Sequence, residues 1–316
     1  MKYQIETTNG EQLLLRVTDI ADYDRKKAEY EMLQKAAMLG VPVSQPVDFG
    51  LCESGAKVYS LLTWLKGADI ESVLSTNTET EQYVAGMKAG ELLQKLHTLP
   101  APETTEQWNT WFERKIQGRI DFYHTNSIES DKGDLFVRYL QENKHLMDNR
   151  SQTFNHGDYN VSNLIAMPNG QIGVVDFNFY GSQHGYGDPW WEFCAISWES
   201  ELSPHFHTGM LKGYFGGEPP QEFFEVNSYC FAYSALATLC DVFKGEEGNS
   251  EDGKRHVENI LRWFENMQNP VPTWYLKDFH VQWIDDIPYK LLEPFLASTV
   301  RYSRSLTSKV SIFVLG

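Results

Sequence analysis

The chain has 316 residues, of which 41% are hydrophobic and 22% charged, and its formal net charge is −16. Such a length and apolar share carry a sizeable core and exclude a disordered chain. The acidic balance argues against nucleic acid or an anionic membrane as partner, because both need a basic patch. It suits a small cationic substrate, and equally a solvated acidic surface. Cys52, Cys194, Cys230 and Cys240 show neither C-x-x-C nor Cys/His ligand spacing and read as free thiols of a reducing compartment. No stretch has signal-peptide or membrane-spanning apolar length, so a cytoplasmic, soluble protein is expected; the oligomeric state is not legible.

In chain order, residues 3–6 and 12–17 read as strands joined by a hairpin at Asn9-Gly10. Residues 24–39 read as a helix with Tyr30, Leu33, Ala37 and Met38 on its apolar side. Strands follow at 46–49 and 57–65. Residues 81–99 form a helix whose Leu92, Leu93 and Leu96 share one side. His97, at its end, reads as structural. Residues 101–150 are a polar connection with further helices, punctuated by Trp108, Trp111, Phe112 and Tyr123. Beyond the central stretch, residues 225–244 and 256–267 are helical, with an acidic loop between them.

The central stretch, residues 155–193, reads NHGDYNVSNLIAMPNGQIGVVDFNFYGSQHGYGDPWWEF. Asp158 and Asn163 stand in H-G-D-x-x-x-x-N, and Asp176 ends the apolar strand of Ile172 to Val175. Phosphoryl transfer asks for a carboxylate to take the acceptor proton and for Mg²⁺ to neutralise the phosphates. Mg²⁺ takes hard oxygen ligands, with one or two carboxylates and several waters. Asp158 is therefore the candidate base, and Asn163 and Asp176 the candidate metal ligands. A neutral amide beside the base avoids a second charge that would raise its pKa. Turn chemistry alone would also place Asp and Asn here.

HGDYNVSN, VVDFNF and GDPWWEF, in that order, make the chain resemble the aminoglycoside phosphotransferase and choline kinase superfamily, whose fold is similar to that of protein kinases. The resemblance covers roughly residues 2–275 and implies an α+β, two-lobed kinase-like fold. A small antiparallel sheet lobe (1–65) would bind nucleotide, a larger, mainly helical lobe (66–275) would hold catalytic and substrate groups, and 276–316 would be an extension outside the core. It implies ATP and Mg²⁺ as cofactors and phosphorylation of a hydroxyl on a small, aminoglycoside-like molecule. It makes Arg16, in LLLRV, the cation for the nucleotide phosphates where lysine is usual. Glu29 becomes its partner, with Glu31 as the alternative, and the backbone near Thr63 and Leu65 becomes the adenine hinge. Asp188 resembles a residue that buttresses the catalytic loop. Glu192, Glu199 and Glu201 follow the site closely and would suit an amino sugar or polyamine, or else are charges on a capped helix.

A small lobe of this kind has a strand and a glycine-containing loop ahead of the hairpin, and no G-x-x-x-x-G-K-[ST] or G-x-G-x-x-G is present. The chain is therefore expected to lack the first strand and the phosphate-covering loop and to bind ATP weakly. A degenerate, non-catalytic nucleotide-binding protein is the rival reading. A metal-dependent hydrolase is weaker, because no histidine pair has catalytic-metal spacing.

Overall fold

The computed structural model describes residues 1–128, 130–179, 182–196, 200, 202–245, 250–279 and 281. Alternating apolar residues build a small antiparallel sheet. Strands β1 (Lys2–Glu6) and β2 (Gln12–Asp19) form the expected hairpin and pair Lys2 with Arg16. Strands β3 (Pro46–Cys52) and β4 (Lys57–Thr63) complete it in the order β1-β2-β4-β3. Along β4 the pleat buries Val58, Ser60 and Leu62 and leaves the residues between them partly exposed. Helix α1 (Tyr23–Met38) covers the sheet with Met32, Leu33 and Ala36. Met38, expected on that side, is 80% exposed: the helix is rotated so that Met32 takes the inner place.

The two lobes meet through backbone as well as side chains. The Val174 N–H donates to the Pro42 carbonyl at 2.8 Å, and Val43 bridges Val174 in parallel. The second lobe begins with β5 (Ala68–Asp69), α2 (Ile70–Leu74), α3 (Glu79–Leu96), α4 (Trp108–Thr125) and α5 (Asp131–Glu142). Short strand β6 (Thr153–Phe154) leads into the central stretch. There β7 (Leu164–Ala166) and β8 (Ile172–Val174) form a hairpin in a sheet ordered β5-β7-β8, while β6 pairs β9 (Tyr186–Gly187). Helices α6 (Pro204–Phe215), α7 (Gln221–Lys244) and α8 (Ser250–Trp263) close the lobe. Among the described residues no helix is long and apolar enough to cross a membrane.

Helices α3 and α6 touch backbone to backbone, and glycine is the reason. A Cβ on Gly86 would stand 1.9 Å from the Phe206 carbonyl oxygen, and one on Gly90 2.0 Å from that of Met210. From the other side, a Cβ on Gly209 or Gly213 would stand 2.1 Å from the carbonyls of Tyr83 and Met87. Each obstacle is main chain, so nothing can swing aside. Past α8, the chain stays attached to α6: the Leu276 N–H donates to Thr208 Oγ1, and the buried Lys212 ammonium donates to the carbonyls of Lys277 and Phe279. Packing thus continues beyond Tyr275; the rest of the expected extension, from residue 282 on, lies outside the described residues.

The helix contact yields a prediction of opposite signs. At Gly118, on α4 with nothing within 4 Å of a built Cβ, Gly→Ala should stabilise the protein by about 0.5–1 kcal/mol through helix propensity. At Gly86 the same change should destabilise it by about 1–3 kcal/mol or more despite that propensity. Denaturant melts of both variants check this, and equal shifts would contradict the close-contact account.

Candidate active site

The loop from Asn155 to Asn163 is held from below before any ligand is considered. Glu192, 3% exposed in the 3₁₀ segment Pro189–Ile196, accepts the backbone N–H groups of His156 and Gly157, each at 2.8 Å. Asn155 Nδ2 donates to the Asp188 carbonyl, and the Asp188 carboxylate is paired with Arg150 at 2.6 Å. Arg150 in turn lies over the Trp190 ring. Gly157 has φ +85°, and a Cβ there would stand 2.2 Å from the Asn178 carbonyl oxygen, so the turn leading into Asp158 accepts only glycine.

His156 is fully buried and joins the loop to the strand end that carries Asp176. Its Nε2 donates to the Val175 carbonyl at 2.8 Å, and its Nδ1 accepts the Asp158 N–H at 3.2 Å. One nitrogen donates and the other accepts, so the ring is neutral. Burial pushes its pKa down to about 4, against the pull of those partners and of Asp176.

Asp158 is half-buried, its Oδ1 accepting from Asn160 Nδ2 at 2.8 Å and its Oδ2 from Asn163 Nδ2 at 3.0 Å. Burial raises its pKa, the two amides lower it, and the nearby Asp176 charge raises it again; the net direction is up. Asn163 Nδ2 also donates to the Asp158 carbonyl, which can only accept, so the amide orientation is set and its oxygen points away from the pair. Asp176 sits just past β8 with φ +57°, a left-handed conformation that Asp tolerates better than most residues. It forms an ion pair with Arg16 across the lobe boundary, and Lys2 Nζ lies 3.5 Å from its Oδ2. Burial would raise its carboxyl pKa, but Arg16 and then Lys2 outweigh that and hold it low.

A cleft of about 310 Å³ opens between these groups, lined by Lys2, Arg16, Lys26, Glu29, Asp158, Asn163 and Asp176 among others. A smaller pocket behind it, bounded by Leu33, Leu62 and Val175, shares Arg16, Glu29 and Asp176. Among the described residues no three His, Cys, Asp or Glu side chains converge on one point. Mg²⁺ does not need them, since it keeps waters and takes phosphate oxygens beside one or two carboxylates. The low-pKa carboxylate of Asp176 and the oriented oxygen of Asn163 fit such an ion.

The structure therefore brings Asp158, Asn163, Asp176, Arg16 and Glu29 to one cleft. It does not pair Arg16 with Glu29. Arg16 goes to Asp176, and Glu29 takes Arg25 at 2.9 Å and Lys26, both one turn earlier on its own helix. Glu192 is turned away from the cleft: it is buried under the Asn155–Asn163 loop with its two oxygens committed to backbone donors, which corrects the expected substrate role. Glu199 and Glu201 lie outside the described residues. Thr63 and Leu65 are not among the residues lining either pocket; the Thr63 N–H is taken by the Gln45 carbonyl at 2.9 Å. Lys2 and Lys26, which do line the cleft, were not singled out by sequence reasoning. The basic residues three and four positions before Glu29, and a lysine opposite Arg16 across the hairpin, were the available signals.

Residues 2–224 match the family described as "Phosphotransferase enzyme family". No curated protein matches the sequence. Among solved structures, a choline/ethanolamine kinase family protein from Mesorhizobium loti is similar with TM-score 0.57 and 15% identity, over 85% of this chain and 91% of that one. Aminoglycoside 2′-phosphotransferase-IIIa, solved with GDP, is similar with TM-score 0.59 and 13% identity, over 82% and 88%. The streptomycin–ATP complex of APH(2″)-IIa is similar with TM-score 0.53 and 14% identity, over 83% and 90%. At these identities the likeness establishes the two-lobed, kinase-like α+β fold.

Glu192 carries a pH signature. Burial pushes its carboxyl up from 4.5 to about 7, against the two N–H donors that pull it down. An acid with a raised folded pKa contributes stability that is complete below its unfolded pKa and is lost as pH rises through the folded one. Wild type should therefore lose this contribution between about pH 5 and about pH 8, and Glu192→Gln should show a flatter Tm–pH profile across that window. Parallel profiles would sink the assignment.

Proposed function

The chain belongs to the phosphotransferase enzyme family, and from that premise we propose that it transfers the γ-phosphoryl group of ATP to a hydroxyl of a small, cationic, aminoglycoside-like molecule. The observation that carries this reading is the convergence of Asp158, Asn163 and Asp176 on one cleft opposite Arg16. In this reading Asp158 takes the acceptor hydroxyl proton as the new O–P bond forms, and ADP departs with the electrons of the broken P–O bond. Its raised pKa makes it a stronger base than an ordinary carboxylate, which suits that task. Asn163 and Asp176 would hold Mg²⁺, which when bound neutralises phosphate charge. Arg16 meets the phosphates, and Glu29, on α1, borders the same space.

We place the nucleotide base near Thr63 and Leu65, where β4 runs into the second lobe. Support comes from Leu62, one residue earlier, which closes the small pocket behind Arg16. A cationic acceptor is supported by the net charge of −16, and an aminoglycoside by the substrates named for the similar structures. The four free cysteines suit a reducing, cytoplasmic setting. One observation favours the rival, a non-catalytic nucleotide-binding protein: Arg16 is engaged with the very carboxylate that the metal would need.

Turnover separates the two. With ATP or GTP, Mg²⁺ and a panel of aminoglycosides, wild type should phosphorylate at least one member. Asp158→Asn should lower kcat by about 10²–10⁴-fold while nucleotide binding is retained. Nucleotide binding without turnover of any acceptor, in wild type as in the variant, would favour the non-catalytic protein.

A further inference from the structure

The mouth of the cleft holds buried hydrogen-bond donors that no acceptor among the described residues satisfies. Lys2 and Arg16 are directly opposed in the β1–β2 register, so both side chains rise from the same face of the sheet. Like charges so placed repel, and here they share one carboxylate, that of Asp176. Thr18 is two residues along β2, on the same face, and lines the same cleft. Its Oγ1 and the Arg16 Nε are buried and have no partner among the described residues. From the opposite wall, α1 adds Lys26, whose side chain is only 17% exposed. Lys26 has Glu29 as its ion-pair partner, but Glu29 is held independently by Arg25 at 2.9 Å, so Lys26 can leave without stranding a charge.

We infer that Lys2 and Lys26 are phosphate-binding residues, which with Arg16 and Thr18 form a side-chain cradle for the oxygens of a nucleotide di- or triphosphate. The inference rests on the phosphotransfer reading and adds to it residues on β1 and α1. A buried donor without an acceptor is costly, and an anion bearing several oxygens relieves Arg16 Nε, Thr18 and the lysine–arginine repulsion together. Lys26, being nearly enclosed, should contribute more than Lys2, whose side chain is 62% exposed and screened by solvent.

The test is calorimetric binding of ATP, ADP and AMP with Mg²⁺ to wild type, Lys2→Gln and Lys26→Gln, with Lys2→Arg and Lys26→Arg as charge-keeping variants. Glutamine keeps most of the stem and removes the charge, so folding should be preserved. Lys26→Gln should weaken ATP about tenfold and Lys2→Gln about threefold, with AMP nearly unchanged and the arginine variants close to wild type. Equal losses for ATP and AMP would mean that the lysines act through the fold, and would overturn the inference. Unchanged ATP affinity in a wild-type background that prefers ATP to AMP would overturn it alone. A wild type that binds no nucleotide would overturn the phosphotransfer reading and this inference with it.

Discussion

One imidazole joins the two strips of chain that carry the aspartates. His156 donates from Nε2 to Val175, the residue before Asp176, and accepts at Nδ1 from the N–H of Asp158. Its neutrality is what permits both bonds at once: a protonated ring would put a second donor against the Asp158 N–H. Complete burial secures that neutrality. Glu192 supplies the opposing hold, taking the two preceding N–H groups of the same loop, those of His156 and Gly157. The relative position of Asp158 and Asp176 thus follows from backbone-directed contacts rather than from the aspartates themselves. Their mutual repulsion, which contributes to the raised Asp158 pKa, is borne by this frame.

The pairs lining the cleft differ in depth: Asp176 is open on one side, whereas Lys26 and Glu29 are 17% and 14% exposed. Asp176 keeps 39% of its side-chain surface exposed, and a pair of that exposure is worth about 1 kcal/mol or less. A divalent ion or a phosphate can therefore displace Arg16 from Asp176 at small cost, and Lys26 can leave Glu29 because Arg25 stays with that carboxylate. The frame beneath is of another kind: Arg150–Asp188 is buried at 9% and 1% exposure and has no comparable freedom. Rigid support under a labile, charge-rich mouth is what positioning and electrostatic catalysis of phosphoryl transfer require.

Much of this was legible in the sequence, and the failures have physical causes. The H-G-D-x-x-x-x-N spacing is enough to bring Asp158 and Asn163 side by side on one short loop, so tertiary context adds little to their placement. The hairpin at Asn9-Gly10 and the strand leading to Asp176 followed from turn chemistry and apolar runs. Glu29 was misassigned because a partner across the lobe was preferred to Arg25 and Lys26, which share its helix at one-turn spacing and need no tertiary contact. Glu192 was read as an acid facing a substrate, or else as a charge on a capped helix, although Trp190, Trp191 and Phe193 flank it in an apolar segment, where a carboxyl group is buried and takes backbone donors. The α3–α6 contact was written in the glycine spacing of AGMKAG and GMLKG, but it needs two segments more than a hundred residues apart to be read together. The role of Lys2 depends on hairpin register, which composition does not reveal.

The central claim is that Asp176, with Asn163, turns this cleft into a metal-dependent nucleotide site. The most direct measurement is calorimetric binding of ATP with and without Mg²⁺ to wild type and to Asp176→Ala. The account predicts binding that strengthens with Mg²⁺ in wild type and a variant in which that Mg²⁺ enhancement is gone. Identical metal dependence in the two proteins, or wild-type binding indifferent to Mg²⁺, would contradict it.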